Sequence, residues 1–201
     1  MLTAMTAAAL ALAALLPTPT DAADTPPGRV TIDVMTVNGS GCPAGTAAVA
    51  SAADNTAFTV TYSDYLAQTG AGAKPTDFRK NCQLVLRVYY PQGFTFGIAQ
   101  ADYRGFAHLA AGARGVERAN YYFQGMSQST PRTHTFTGPM SDNWQATDRT
   151  EVGAIVYAPC GEQRMLNVNT QLRVQGGASF MTMDSTDASF STKYHFSWKK
   201  C

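Results

Sequence analysis

Leu166-Asn167-Val168-Asn169-Thr170-Gln171-Leu172-Arg173-Val174 places Leu, Val, Thr, Leu and Val on one parity and Asn, Asn, Gln and Arg on the other. A period of two belongs to a strand, so this stretch reads as a β-strand with one face in a core and one in water. Other runs repeat the pattern. Phe58, Val60 and Tyr62 alternate with Thr59 and Thr61, and Cys82, Leu84, Leu86 and Val88 share a face that stops at Pro91-Gln92-Gly93. Phe94, Phe96 and Ile98 then begin again, as a hairpin or tight corner would. Val152, Ala154 and Val156 lead towards Cys160, while Tyr194, Phe196 and Trp198 form a last strand before Cys201. Short strands punctuated by Gly, Pro, Asn and Asp predict an all-β domain, an antiparallel β-sandwich or jelly roll. Residues 74–80 and 106–114 read as the short helices.

The other end of the chain sets the compartment. Residues 4–16 are apolar but too few to span a bilayer, and Pro17-Thr18-Pro19 breaks any helix. Thr20 and Ala22 supply the small residues of a cleavage site, although no Lys or Arg precedes the apolar core. The expected organisation is a signal peptide at 1–22, a flexible Pro/Gly-rich lead-in at 23–29 and a single β-sandwich domain at 30–201. No later stretch is long and apolar enough to span a membrane, which predicts a secreted, extracellular protein. The 201 residues carry a formal charge of +1, with the charges interspersed and no basic stripe beyond Lys199-Lys200. That balance argues against nucleic acid or an anionic membrane as partner.

Cys42, Cys82, Cys160 and Cys201 are an even set, as expected of a disulfide framework made outside the cytosol. Four cysteines allow three pairings; sequence order and the strand reading favour Cys42–Cys82 with Cys160–Cys201. Each would close a loop worth about 4 kcal/mol by chain entropy. A cysteine metal site needs closely spaced ligands such as C-x-x-C, and none occurs.

Several short motifs fall in a telling order: Asn38-Gly-Ser-Gly-Cys-Pro43, Lys80-Asn-Cys-Gln83, Tyr103-Arg-Gly105 and Asn120-Tyr-Tyr-Phe-Gln-Gly125. Pro159-Cys-Gly161, Leu166-Asn-Val-Asn-Thr170, Asp184-Ser-Thr186 and Trp198-Lys-Lys-Cys201 continue it. Together they resemble an uncharacterised group of small secreted proteins of bacteria and fungi, domain of unknown function family 4360. The resemblance spans nearly the whole mature chain and implies compartment and boundaries, since the family brings no established activity.

Candidate sites come from composition and local order. Trp144 beside Asp142, Asn143 and Gln145 is the best ligand-binding constellation, because sugars stack on aromatic faces while amides and carboxylates bond their hydroxyls; core packing is the competing reading. Tyr121 and Tyr122 alternate, so one should point outward, and Tyr122 joins the candidates. Ser141-Asp-Asn143 with Asp148, and Asp184-Ser-Thr-Asp187, are oxygen-rich enough for Ca2+, against Asx turns as the alternative. No other cofactor is expected. His108, His134 and His195 are too far apart in sequence to suggest a shared metal, and no Gly-x-Ser-x-Gly elbow occurs. These features predict a non-catalytic binding module for an extracellular glycan, cell-envelope polymer or protein. The alternative is a small hydrolase or lyase built from dispersed Asp, Glu and His.

Overall fold

A computed structural model describes residues 25–129, 131–183 and 191–201. The expected leader at 1–22 and the carboxylates Asp184 and Asp187 lie outside the described residues. Strands are numbered in chain order: β1 Thr31–Asn38, β2 Ala47–Ser51, β3 Ala57–Tyr62, β4 Leu66–Thr69, β5 Arg79–Tyr89 and β6 Phe94–Leu109. They continue as β7 Arg114–Phe123, β8 Arg132–Thr137, β9 Met140–Arg149, β10 Leu166–Gln175, β11 Ser179–Thr182 and β12 Thr192–Lys200. Two antiparallel sheets result. One runs β1-β5-β10-β7-β8, the other β2-β3-β12-β6-β11-β4 with β9 on β6. The fold is all-β, two sheets about a shared core and two disulfides, as the alternation predicts.

The stretch 166–174 is the centre of the five-stranded sheet. Leu166, Val168, Thr170, Leu172 and Val174 are all buried, with β5 paired on one side and β7 on the other. The Pro91-Gln92-Gly93 break is a corner, because β5 lies in one sheet and β6 in the other. Strand β6 keeps facing the core over its 16 residues only by changing phase. Phe96 and Ile98 point in, and then Ala101, Tyr103, Ala107 and Leu109. The register against β12 slips between His195 and Phe196, and this bulge re-aims the strand by one residue.

Three local expectations are corrected. Residues 74–78 form turns before β5, and residues 106–114 are the end of β6, a turn and the start of β7. The Ala-rich composition there favours helix weakly, and pairing of Leu109 to Met140 and Arg114 to Thr137 overrides it. The strand expected at 152–156 begins instead as a 3-10 turn, Val152–Ala154, with Val152 83% exposed.

Cys42 pairs with Cys82, and Cys160 with Cys201. The Asn38-Gly-Ser-Gly stretch makes the first bond reachable. Gly39 has φ 141°, and a Cβ there would strike the carbonyl of Asn81. With that path clear, Gly41 N–H donates to Asn81 O at 2.8 Å and lays the chain beside β5, bringing Cys42 Cα within 5.3 Å of Cys82 Cα. The N-terminal segment is tied down by Asn55. Its side chain accepts from Val30 N–H at 2.9 Å and donates to the carbonyls of Pro26 and Gly28.

Candidate functional site

Because β5, β10 and β7 are in register, their outward residues form rows across the five-stranded sheet. Gln83, Asn169 and Asn120 make one row; Asn81, Gln171 and Arg118 make the next; Arg79, Arg173 and Val116 a third. Asn167 and Tyr122 continue beside Val85. Directly opposed side chains lie about 5 Å apart at Cβ, so the face is a lattice of amides interrupted by guanidinium groups. A groove of about 400 Å3 runs over it, lined by Arg79, Asn81, Gln83, Arg118, Asn120, Asn169 and Gln171. Asn120 Oδ1, Asn169 Oδ1 and Arg173 Nε are buried within this face and have no hydrogen-bond partner among the described residues. Unpartnered buried polar atoms are rare in folded proteins, and each asks for a reason. Arg79 Nε donates to Gln171 Oε1 at 2.6 Å, which orients both side chains.

A second polar region lies between the sheets. Glu117 on β7 is fully buried among Tyr62, Tyr65, Tyr103 and Tyr194, also buried. Among the described residues neither oxygen of Glu117 finds a hydrogen bond, nor do the hydroxyls of Tyr62 and Tyr194. Burial, reinforced by the charge of Asp148, pushes the Glu117 carboxyl well above the usual carboxylate range. Burial likewise raises the four phenols, so they stay neutral. Asp148 accepts from Tyr103 Oη at 3.2 Å and from His134 Nε2 at 2.7 Å, reaching the sheet edge through the half-buried imidazole.

The sequence-based candidates fall in different places. Trp144 is 3% exposed, stands against Phe136 at 5.3 Å and donates Nε1–H to Thr182 O at 3.1 Å. Its ring lies in the core rather than on an exposed stacking face; Trp144, Ala146 and Asp148 share the inward parity of β9. Asp142 and Asn143 are exposed on that strand, in the sheet opposite Tyr122, so the four residues do not converge. Tyr122 is half-buried on the outer face of β7 and borders an apolar crevice of about 70 Å3, well below the few hundred Å3 of a small-molecule pocket. Ser141, Asp142, Asn143 and Asp148 all belong to the extended strand β9, where the two carboxylates stand six residues apart, and do not form a calcium loop. Among the described residues no three His, Cys, Asp or Glu side chains gather for a metal.

Pieces of hydrolytic machinery occur separately on the outer face of the other sheet. His195 Nε2 bonds Asp102 Oδ2 at 2.9 Å, and Thr147 Oγ1 gives its proton to Asp102 Oδ1 at 2.7 Å. Partial burial pushes the Asp102 carboxyl up, but bonds from Thr147, Gln100 and His195 outweigh it and hold the group below its usual value. His108 meets Ser141 Oγ at 3.2 Å, at the far end of β6. A nucleophile, a base and an orienting acid in one chain of bonds is what a triad requires, and these pairs do not join.

Sequence reasoning missed Glu117 and the amide rows. The signal for Glu117 was its parity: Glu117, Ala119, Tyr121 and Phe123 share the core-facing side of β7. The rows carry no such signal, because they exist only once strand register is fixed.

A family model for a domain of unknown function (DUF4360) matches residues 28–201. An uncharacterized secreted protein of Arthroderma benhamiae is 36% identical over 179 residues, covering 87% of this chain and 73% of that protein. Among solved structures, TmCBM61 in complex with β-1,4-galactotriose aligns over 88% of this chain and 92% of that one, at 10% identity and a TM-score of 0.29. A score that low carries no argument about this chain. No helix among the described residues is long and apolar enough to cross a membrane.

Proposed function

The chain belongs to the DUF4360 family and is secreted, and we propose that it acts outside the cell as a non-catalytic polysaccharide-binding module. The site is the outer face of the five-stranded sheet. One observation carries the reading: Asn120 and Asn169 stand side by side along an open groove, and their Oδ1 atoms have no donor among the described residues. A sugar hydroxyl both donates and accepts, and an amide offers the complementary pair of groups in one plane. Rows of amides on adjacent strands therefore suit a ligand with hydroxyls at regular intervals. Tyr122, on the same face of β7 as Asn120, supplies an aromatic edge to the lattice. A rigid sheet clamped by Cys42–Cys82 at its β1–β5 side keeps these groups in position without a ligand.

Pull-down on a panel of insoluble polysaccharides tests the proposal. Wild-type protein is expected to be retained on at least one polymer, and Asn120→Ala and Asn169→Ala to weaken retention about tenfold each. Failure of the folded wild type to bind any member of the panel would sink the reading.

A further inference from the structure

We infer that the polymer this groove takes is anionic, a polysaccharide carrying carboxylates on its sugar rings. The inference rests on the groove being a polysaccharide site. Its basis is a segregation of charge that the near-neutral whole chain conceals. Arg79 and Arg87 of β5, Arg173 of β10, and Arg114 and Arg118 of β7 all point outward from the five-stranded sheet. Against these five, the strands of that sheet turn one carboxylate outward, Asp33 on the edge strand β1, opposite Arg87. Ion pairs among the described residues engage Lys80, His134, Arg164 and His195, and none of the five arginines.

The placement of these arginines costs the protein something. Arg79 and Arg173 are direct cross-strand neighbours, and like charges so opposed destabilise a sheet. No ion pair among the described residues offsets that repulsion; an anion over the groove would. Their positions are also fixed in advance. Arg79 is held by Gln171, and the Arg173 guanidinium lies 5.8 Å from the centroid of the Phe78 ring with its Nε buried and unpartnered. Arg118 borders the same groove without a partner among the described residues. A guanidinium fork matches the planar carboxylate group in two parallel hydrogen bonds, and the flanking amides are left for ring hydroxyls.

Affinity electrophoresis through gels containing polygalacturonate, neutral galactan or dextran sulfate, with a poly(dT) oligonucleotide as a fourth ligand, decides the matter. Polygalacturonate is expected to retard the protein most, with retardation falling as salt is raised. Arg118→Gln, at an exposed position, should weaken it about tenfold at an unchanged melting temperature. Arg104→Gln, on the outer face of the other sheet, should change nothing. Retardation by neutral galactan alone, indifferent to Arg118→Gln, overturns the inference and leaves the polysaccharide reading standing. Binding to dextran sulfate or poly(dT) at least as tight as to polygalacturonate overturns it too, as the mark of a generic cationic face. Absence of binding to every polysaccharide overturns both.

Discussion

Strands β7 and β10 build two polar regions at once, and the two solve opposite problems. Inward, β7 sends Glu117 and Tyr121 and β10 sends Thr170; outward, they send Arg118, Asn120, Asn169 and Gln171. Every buried side-chain atom without a hydrogen bond among the described residues belongs to one of these regions: Tyr62, Tyr194 and Glu117 inside, Asn120, Asn169 and Arg173 outside. The inner set is closed off from outside partners, and burial pushes the Glu117 carboxyl well above its usual range, which favours its neutral form. In the outer set, Asn120 and Asn169 line a groove that is open to an external molecule. Unsatisfied groups are thus a cost to folding in one region and, on the proposed reading, a capacity for binding in the other.

The largest expected effect is on the inner side. Asp148→Ala removes the acceptor for both Tyr103 Oη and His134 Nε2 and leaves a buried hydroxyl stranded. The loss should be about 2–3 kcal/mol, read from a urea midpoint at unchanged slope. A loss below about 0.5 kcal/mol would mean that the inner network holds nothing together, and the contrast with the face would fail.

A smaller effect is a pH dependence. The Glu117 carboxyl has a folded-state pKa above its ordinary value of 4.5. A group so shifted favours the folded state fully below the unfolded pKa, and that favour is lost as pH rises from about 4.5 towards the folded value. Stability of the wild type should therefore decline on going from pH 5 to pH 8, and Glu117→Gln, which cannot ionise, should flatten the decline. Denaturation midpoints for the two proteins at both pH values supply the check. Parallel profiles would show that Glu117 does not titrate differently on folding.

How much of this was readable beforehand differs between the regions for a physical reason. Facing is a local property. The parity of 166–174 located the central strand, and the positions of the cysteines along the strands located both disulfides. The same parity argument, applied to β9, would have put Trp144 with Ala146 in the core, and applied to β7 would have turned Glu117 inward. Adjacency across strands is not local. Arg79, Arg118 and Arg173 are far apart in the chain and look interspersed with other residues, so no basic stripe is visible in the sequence. Pairing of β10 with both β5 and β7 makes them neighbours. The buried core was legible to the extent that a two-residue period is; the face of amides and arginines was not, because register is set by the whole fold.

The smallest expected stability change most sharply separates the two regions. Asn169→Ala deletes an oxygen that is buried yet accepts nothing, and Asn120→Ala does the same on the next strand. An acceptor with a partner is worth about 1 kcal/mol to the fold, whereas one without has already incurred its desolvation. Each substitution should therefore leave stability within about 0.5 kcal/mol of wild type, if anything slightly higher, while polysaccharide retention falls. Thermal and urea unfolding of the two variants beside the pull-down gives both readouts on the same samples. A loss of more than about 1.5 kcal/mol at Asn169 would make its amide a structural group, and the outer face would then be polar for the same reason as the interior. Unchanged stability with lost binding would assign these two amide side chains to the proposed polymer site rather than to the fold.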